Sequence, residues 1–155
     1  MFKKSIIKIN LIILLIFALF AISDASAYDK ITSIKIVNQA FSHILERNPN
    51  RCELIHYSNL LTYQNWTAKK LVITLVCSSE HIRRFYHCPK SYVIILYRHL
   101  LGRNPATSCL NHWTNHLKSL KRKYGLSKAC EKVAKDMINS LEYRQKFGDH
   151  IVPHY

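Results

Sequence analysis

Leu100-Leu101-Gly102-Arg103-Asn104-Pro105 is one of two copies of a short pattern; fifty-six residues earlier the chain reads Ile44-Leu45-Glu46-Arg47-Asn48-Pro49. At that same offset His43 falls on His99, Leu54 on Leu110, His56 on His112, Asn59 on Asn115 and Leu61 on Leu117, with Tyr57 opposite Trp113. A register held that long identifies an internal repeat. The ends of the copies match as well. Ser78-Ser79-Glu80-His81 with Phe85 resembles Ser140-Leu141-Glu142-Tyr143 with Phe147, now at an offset of 62. The second copy therefore carries six extra residues, placed in the basic stretch 119–125, where an insertion suits a loop or a helix end.

Three glycines and four prolines punctuate the whole chain, leaving long segments with no breaker, as helices require. Ile34, Val37, Phe41, Ile44 and Leu45 recur at helical spacing and predict a helix near 32–47. Asn50, with Glu53 three positions on, predicts a capping box opening a second helix to about Tyr63. Thr67 caps a third that ends before Pro89. The second copy repeats the order. Residues 91–101 form a central helix, apolar almost all round. Thr107 or Ser108 starts the next, and Ser127 caps a last one running to Phe147. Gly102 suits a left-handed helix end; Glu46, its counterpart, tolerates that conformation poorly, so the two caps need not be identical. The expected fold is all-α: one domain of about six helices, arranged as two degenerate three-helix repeats.

Residues 1–27 have the layout of a secretory signal peptide, with Lys3, Lys4 and Lys8 ahead of an apolar run. Ala25 and Ala27 precede a cut expected after Ala27. Uncleaved, the segment would act as a membrane anchor. The expected organisation is thus a signal over 1–27, a short arm over 28–31 and the helical domain over 32–155, in an exported, periplasmic or secreted protein. Export would place Cys52, Cys77, Cys88, Cys109 and Cys130 where disulfides persist, with one thiol left over. The formal charge is +14, and +12 without the first 27 residues. Such a surface suits an acidic protein partner, with an anionic membrane surface as the alternative. Export argues against nucleic acid.

Two motifs carry a family resemblance. Residues 97–105, Tyr-Arg-His-Leu-Leu-Gly-Arg-Asn-Pro, resemble the LLGR-x-P motif of phycobilisome linker domains. Residues 140–155, with Ser140, Glu142, Tyr143, Phe147, Gly148, Val152 and Pro153, resemble that family's closing motif. A helical repeat domain of exported bacterial proteins shares LGR-x-P but lacks the Val-Pro ending, and ranks second. The resemblance implies a non-catalytic scaffold that assembles the light-harvesting antenna, with biliproteins as acidic partners. The export signal and the five cysteines depart from that pattern, which keeps open an exported protein-binding module or secreted effector on the same fold.

A thiol/His enzyme is the third reading, but no Ser-His-Asp or Cys-His spacing marks a catalytic set, and no enzyme is expected. His112 and His116 lie four apart on one helix without the HExxH pattern, so no metal and no cofactor is expected. Arg47 with Glu80, and Arg103 with Glu142, recur together in both copies and are expected to pair. Arginine's planar fork suits a carboxylate. Partner contacts are expected at Lys118, Lys121, Arg122 and Lys123, and in the tail at Ile151, Val152 and Tyr155.

Overall fold

The computed structural model describes residues 28–148 and Val152. The expected cleavage after Ala27, and the tail residues Ile151 and Tyr155, lie outside the described residues. Among those described the chain is all helical: α1 (Lys30–Ile44), α2 (Arg51–Tyr63), α3 (Ala68–Val76), α4 (Ser79–Phe85), α5 (Pro89–Leu101), α6 (Thr107–Tyr124), α7 (Leu126–Ile138) and α8 (Leu141–Lys146).

Eight helices replace the expected six because the last helix of each half is broken in two by a serine. Ser78 Oγ accepts from the backbone N–H of His81 at 3.1 Å, and Ser140 Oγ from that of Tyr143 at 3.2 Å. Each caps a new helix by satisfying an N–H that has no partner within it. Other boundaries follow local chemistry. Asp29 caps α1, so the helix reaches two residues into the expected N-terminal arm and beyond. Asn50 and Glu53 close the predicted capping box, and Thr67 caps α3. Cys88 caps α5, with Pro89 at its first position, where a missing N–H costs nothing. Gly125, at φ 80°, separates α6 from α7, so Ser127 lies inside the first turn of α7 rather than capping it. The six extra residues do not form a loop. They lengthen α6 to 18 residues, against 13 in α2.

Both motif helices end in the left-handed conformation: Gly102 at φ 63° and Glu46 at φ 50°. The non-glycine adopts the same conformation and accepts its strain. The caps themselves are not identical: α1 stops a residue earlier, at right-handed Leu45, whereas α5 runs up to Gly102.

α5 lies at the centre. Its Tyr92, Val93, Leu96 and Leu100 are fully buried and share one core with Val37, Phe41 and Ile44 of α1, Leu71 and Val72 of α3, and Val133 and Ala134 of α7, and the helix packs against α4, α6, α7 and α8. Each large apolar side chain so buried contributes roughly 1.5–3 kcal/mol. α3 packs against α7 across the two halves, and α6 against α7 as a long antiparallel hairpin. That hairpin leaves one face of α6 in solvent.

Candidate functional site

Three groups of polar side chains stand out. The first is the motif arginines. Arg103 donates to both oxygens of Glu142, at 2.6 and 2.7 Å, and to Asn104 O at 3.1 Å. Its guanidinium also sits 5.1 Å from the centre of the Tyr97 ring. Arg47 does more. It donates to both oxygens of Glu80, at 2.6 and 2.8 Å, to both of Glu53, at 2.7 and 2.8 Å, and to Asn48 O at 3.0 Å. All five guanidinium N–H donors are in use. Hydrogen bonds from the arginines hold Glu53, Glu80 and Glu142 below the usual carboxylate range. Neither pair is fully buried; Arg47 is 29 % exposed and Arg103 40 %. Glu53 is the member that sequence comparison between the copies did not supply, because Glu53 has no counterpart in the second half.

The second group is a chain of histidines. His43 Nε2 donates to the carbonyl of His99, its own counterpart in the other copy, at 3.0 Å. His99 Nδ1 meets His81 Nε2 at 3.2 Å, and His81 Nδ1 meets the Tyr92 hydroxyl at 3.3 Å. His81 is 0 % and His99 5 % exposed. Burial disfavours the imidazolium form, and the charge on one ring would oppose charge on the other, so both pKa values lie well below 6.5. The three imidazoles tie α1, α4 and α5 together, with His81 and His99 neutral. His43 and His99 line a cleft of about 480 Å³ between the ends of α1 and α5, together with Glu46, Arg98 and Asn104.

The third group is the basic face of α6. Lys118, Lys121 and Arg122 are exposed and stand three and four residues apart, on one side of the helix. With Pro89 they line a second groove, also of about 480 Å³, whose surface is mostly apolar. Lys121 Nζ donates to the Tyr86 hydroxyl at 3.4 Å. Lys123 is different: its Nζ lies 5.0 Å from the Tyr124 ring centre, which Lys132 approaches from 4.9 Å. The structure thus brings together three of the four basic candidates and separates the fourth. Of the tail candidates, Val152 is 3 % exposed and belongs to the core, so it is a packing residue and not a surface contact.

All five cysteines, Cys52, Cys77, Cys88, Cys109 and Cys130, are free thiols, so the expected bridges are not formed. Burial pushes the thiols of Cys77 and Cys130 up to about 11, which makes them poor nucleophiles. His112 and His116 stack on one another, and His116 faces Asp136 at 3.5 Å. Among the described residues no three His, Cys, Asp or Glu side chains are grouped to hold a metal ion.

Comparison with known proteins places the helical domain in a family. The model of the phycobilisome linker polypeptide family matches residues 28–155. The chain belongs to that family. Over 124 residues it is 26 % identical to the phycobilisome 32.1 kDa linker polypeptide, phycocyanin-associated, rod, of Mastigocladus laminosus. The alignment covers 77 % of this chain and 41 % of that protein, so the chain spans about two fifths of the relative's length. Phycobilisome linkers form a structural, non-catalytic family that organises the antenna.

Membership corrects one expectation outright. Phycobilisome linkers belong to the cytoplasmic side of the thylakoid antenna and are not exported, so the reading of an exported protein does not stand. The expectation of disulfides rested on export and loses its ground with it.

Proposed function

We propose that this protein is a non-catalytic antenna linker whose helical domain binds phycobiliproteins and fixes their arrangement. The match of the family across residues 28–155 carries the reading. The relative from Mastigocladus laminosus is named as phycocyanin-associated, which makes phycocyanin the partner to test first. A chain of charge +14 suits a partner with acidic surfaces. The motif arginines already hold carboxylates within the domain, so they have little left to offer a partner. The binding face of this reading lies on α6.

The test is sedimentation of the full chain mixed with purified phycocyanin at low ionic strength. A faster-sedimenting joint species, dissociating as salt is raised through the range where screening becomes short-ranged, is expected. Separate boundaries at low salt and micromolar concentrations overturn the reading. Binding to vesicles of anionic lipid, with none to phycocyanin, favours a membrane surface instead.

A further inference from the structure

We propose that the groove between the start of α5 and the face of α6 docks one kind of segment: an apolar side chain flanked by carboxylates on a protein partner. The proposal rests on the linker reading above and names the contact that reading leaves open.

Charge is the first support. Arg47, Arg84, Arg103, Lys128 and Lys135 are each paired with a carboxylate. Lys118, Lys121 and Arg122 are not among them, although they crowd one helix face. Like charges three and four residues apart repel by a few tenths of a kcal/mol per pair, and only an external anion relieves that. Position is the second support. Tyr86 holds Lys121 through its hydroxyl and through its ring, 5.4 Å from Nζ. One arm of the cluster is therefore set in place before anything binds, which lowers the entropy lost on docking.

The groove's lining decides what kind of anion. It is lined by Pro89, Lys118, Lys121 and Arg122, and its surface is mostly apolar; long basic side chains supply such surface through their aliphatic stems and keep the charged ends toward water, at the rim. A phosphate backbone or lipid headgroup needs the rim alone and leaves the apolar floor in contact with water. An apolar side chain between two acidic residues satisfies both floor and rim. Apolar anchors seated in a pocket and ringed by polar contacts are also how protein interfaces concentrate their affinity.

Lys123 supplies an internal control. It is the next residue along, carries the same charge, and is turned away onto Tyr124. General electrostatic attraction would weigh it equally with its neighbours; docking in the groove would not.

The experiment is calorimetric titration of the full chain with purified phycocyanin, using wild type, Lys118→Glu/Arg122→Glu and Lys123→Glu. All three positions are exposed on one helix, and circular dichroism melts check that the variants fold. The double variant is expected to bind about tenfold or more weakly, and Lys123→Glu within about twofold of wild type. If wild type binds and the double variant binds equally, or if Lys123→Glu weakens binding as much per charge, the groove is overturned and the linker reading stands. If wild type does not bind phycocyanin, the linker reading falls and the groove with it. Duplex oligonucleotide and phosphatidylglycerol vesicles serve as further arms. A loss confined to those two overturns the protein-segment proposal.

Discussion

Arg47→Ala should destabilise the domain by roughly 2–3 kcal/mol, against roughly 1 kcal/mol for Arg103→Ala. An exposed ion pair contributes about 0–1 kcal/mol, and breaking a buried one costs about 3–5. Arg103 sits near the first case: one carboxylate gripped at two points, with the side chains 40 % and 35 % exposed. Arg47 grips two carboxylates from different helices, and the three side chains are between 26 % and 36 % exposed. Removing it leaves Glu53 and Glu80 facing one another across the space of one guanidinium. Glu53 keeps the backbone N–H of Asn50 at 2.8 Å, while Glu80 loses two strong donors. Water reaches both groups, which holds the cost below that of a fully buried pair. Urea denaturation followed by circular dichroism at pH 7 measures it. Glu80→Gln in the Arg47→Ala background should restore part of the loss by removing one of the two facing charges. The pH dependence follows from the depressed carboxylates. Folded-state pKa values below 4.5 give stability that is present above pH 4.5 and lost as pH falls through the folded values. The gap between wild type and Arg47→Ala is thus full at pH 7 and closes below pH 4.5. Equal losses for the two arginines, or a gap that persists at pH 3, would refute this account.

Other outcomes follow from the same geometry. His81 and His99 stay neutral when folded but titrate near 6.5 when unfolded, so stability is full above pH 6.5 and falls as pH drops below it. Each contributes a slope of ~1.4 kcal/mol per pH unit, and His81→Leu should remove about half; a flat urea-melt profile from pH 7 to pH 5 counts against the buried pair. Glu46→Gly relieves a left-handed non-glycine and should raise stability by ~0.5–1 kcal/mol, whereas Gly102→Ala should lower it by about as much, both read by thermal melting. Ser140→Ala removes the cap of α8 and should cost ~1 kcal/mol in the same assay; no change would mean that α8 is held by Tyr143 and Phe147 alone.

The helical class was legible because breakers are scarce and apolar residues keep a period near four. Capping chemistry was legible at Asn50 and Thr67, where the serine-like signal precedes a clear apolar run. It was misread at Ser78 and Ser140, because the apolar pattern continues past both. Leu75, Ile82 and Phe85 keep a helical period across a break that only one side-chain oxygen creates. Glu46 shows the opposite case: propensity disfavours it at positive φ, yet it stands at φ 50°. The histidine chain was half visible: His43 and His99 stood out by recurrence, but His81 and Tyr92 enter it through tertiary placement, which no spacing reports. The basic cluster was found by composition, yet only the helix phase separates Lys123 from Lys118, Lys121 and Arg122.

The residues that make this chain recognisable and those that would meet a partner are therefore different sets. Arg47, Arg103, Glu80, Glu142, Ser78, Ser140 and Gly102 all complete bonds or turns inside the domain. Any chain keeping this fold needs that stitching, whatever it binds. Two of the groove's three cations, Lys121 and Arg122, come from the stretch by which the second copy outgrows the first. α2 ends at Tyr63 after 13 residues, whereas α6 runs 18, and its last turns carry Lys121 and Arg122. The first half has no such extension, so the two halves cannot offer a partner the same surface even where their motifs agree. The five residues by which α6 exceeds α2 add about one and a half turns at ~1.5 Å per residue, which carries two more basic side chains along the exposed face. The motifs accordingly report the fold, and under the proposed reading the length and charge of α6 would report what the fold is used for.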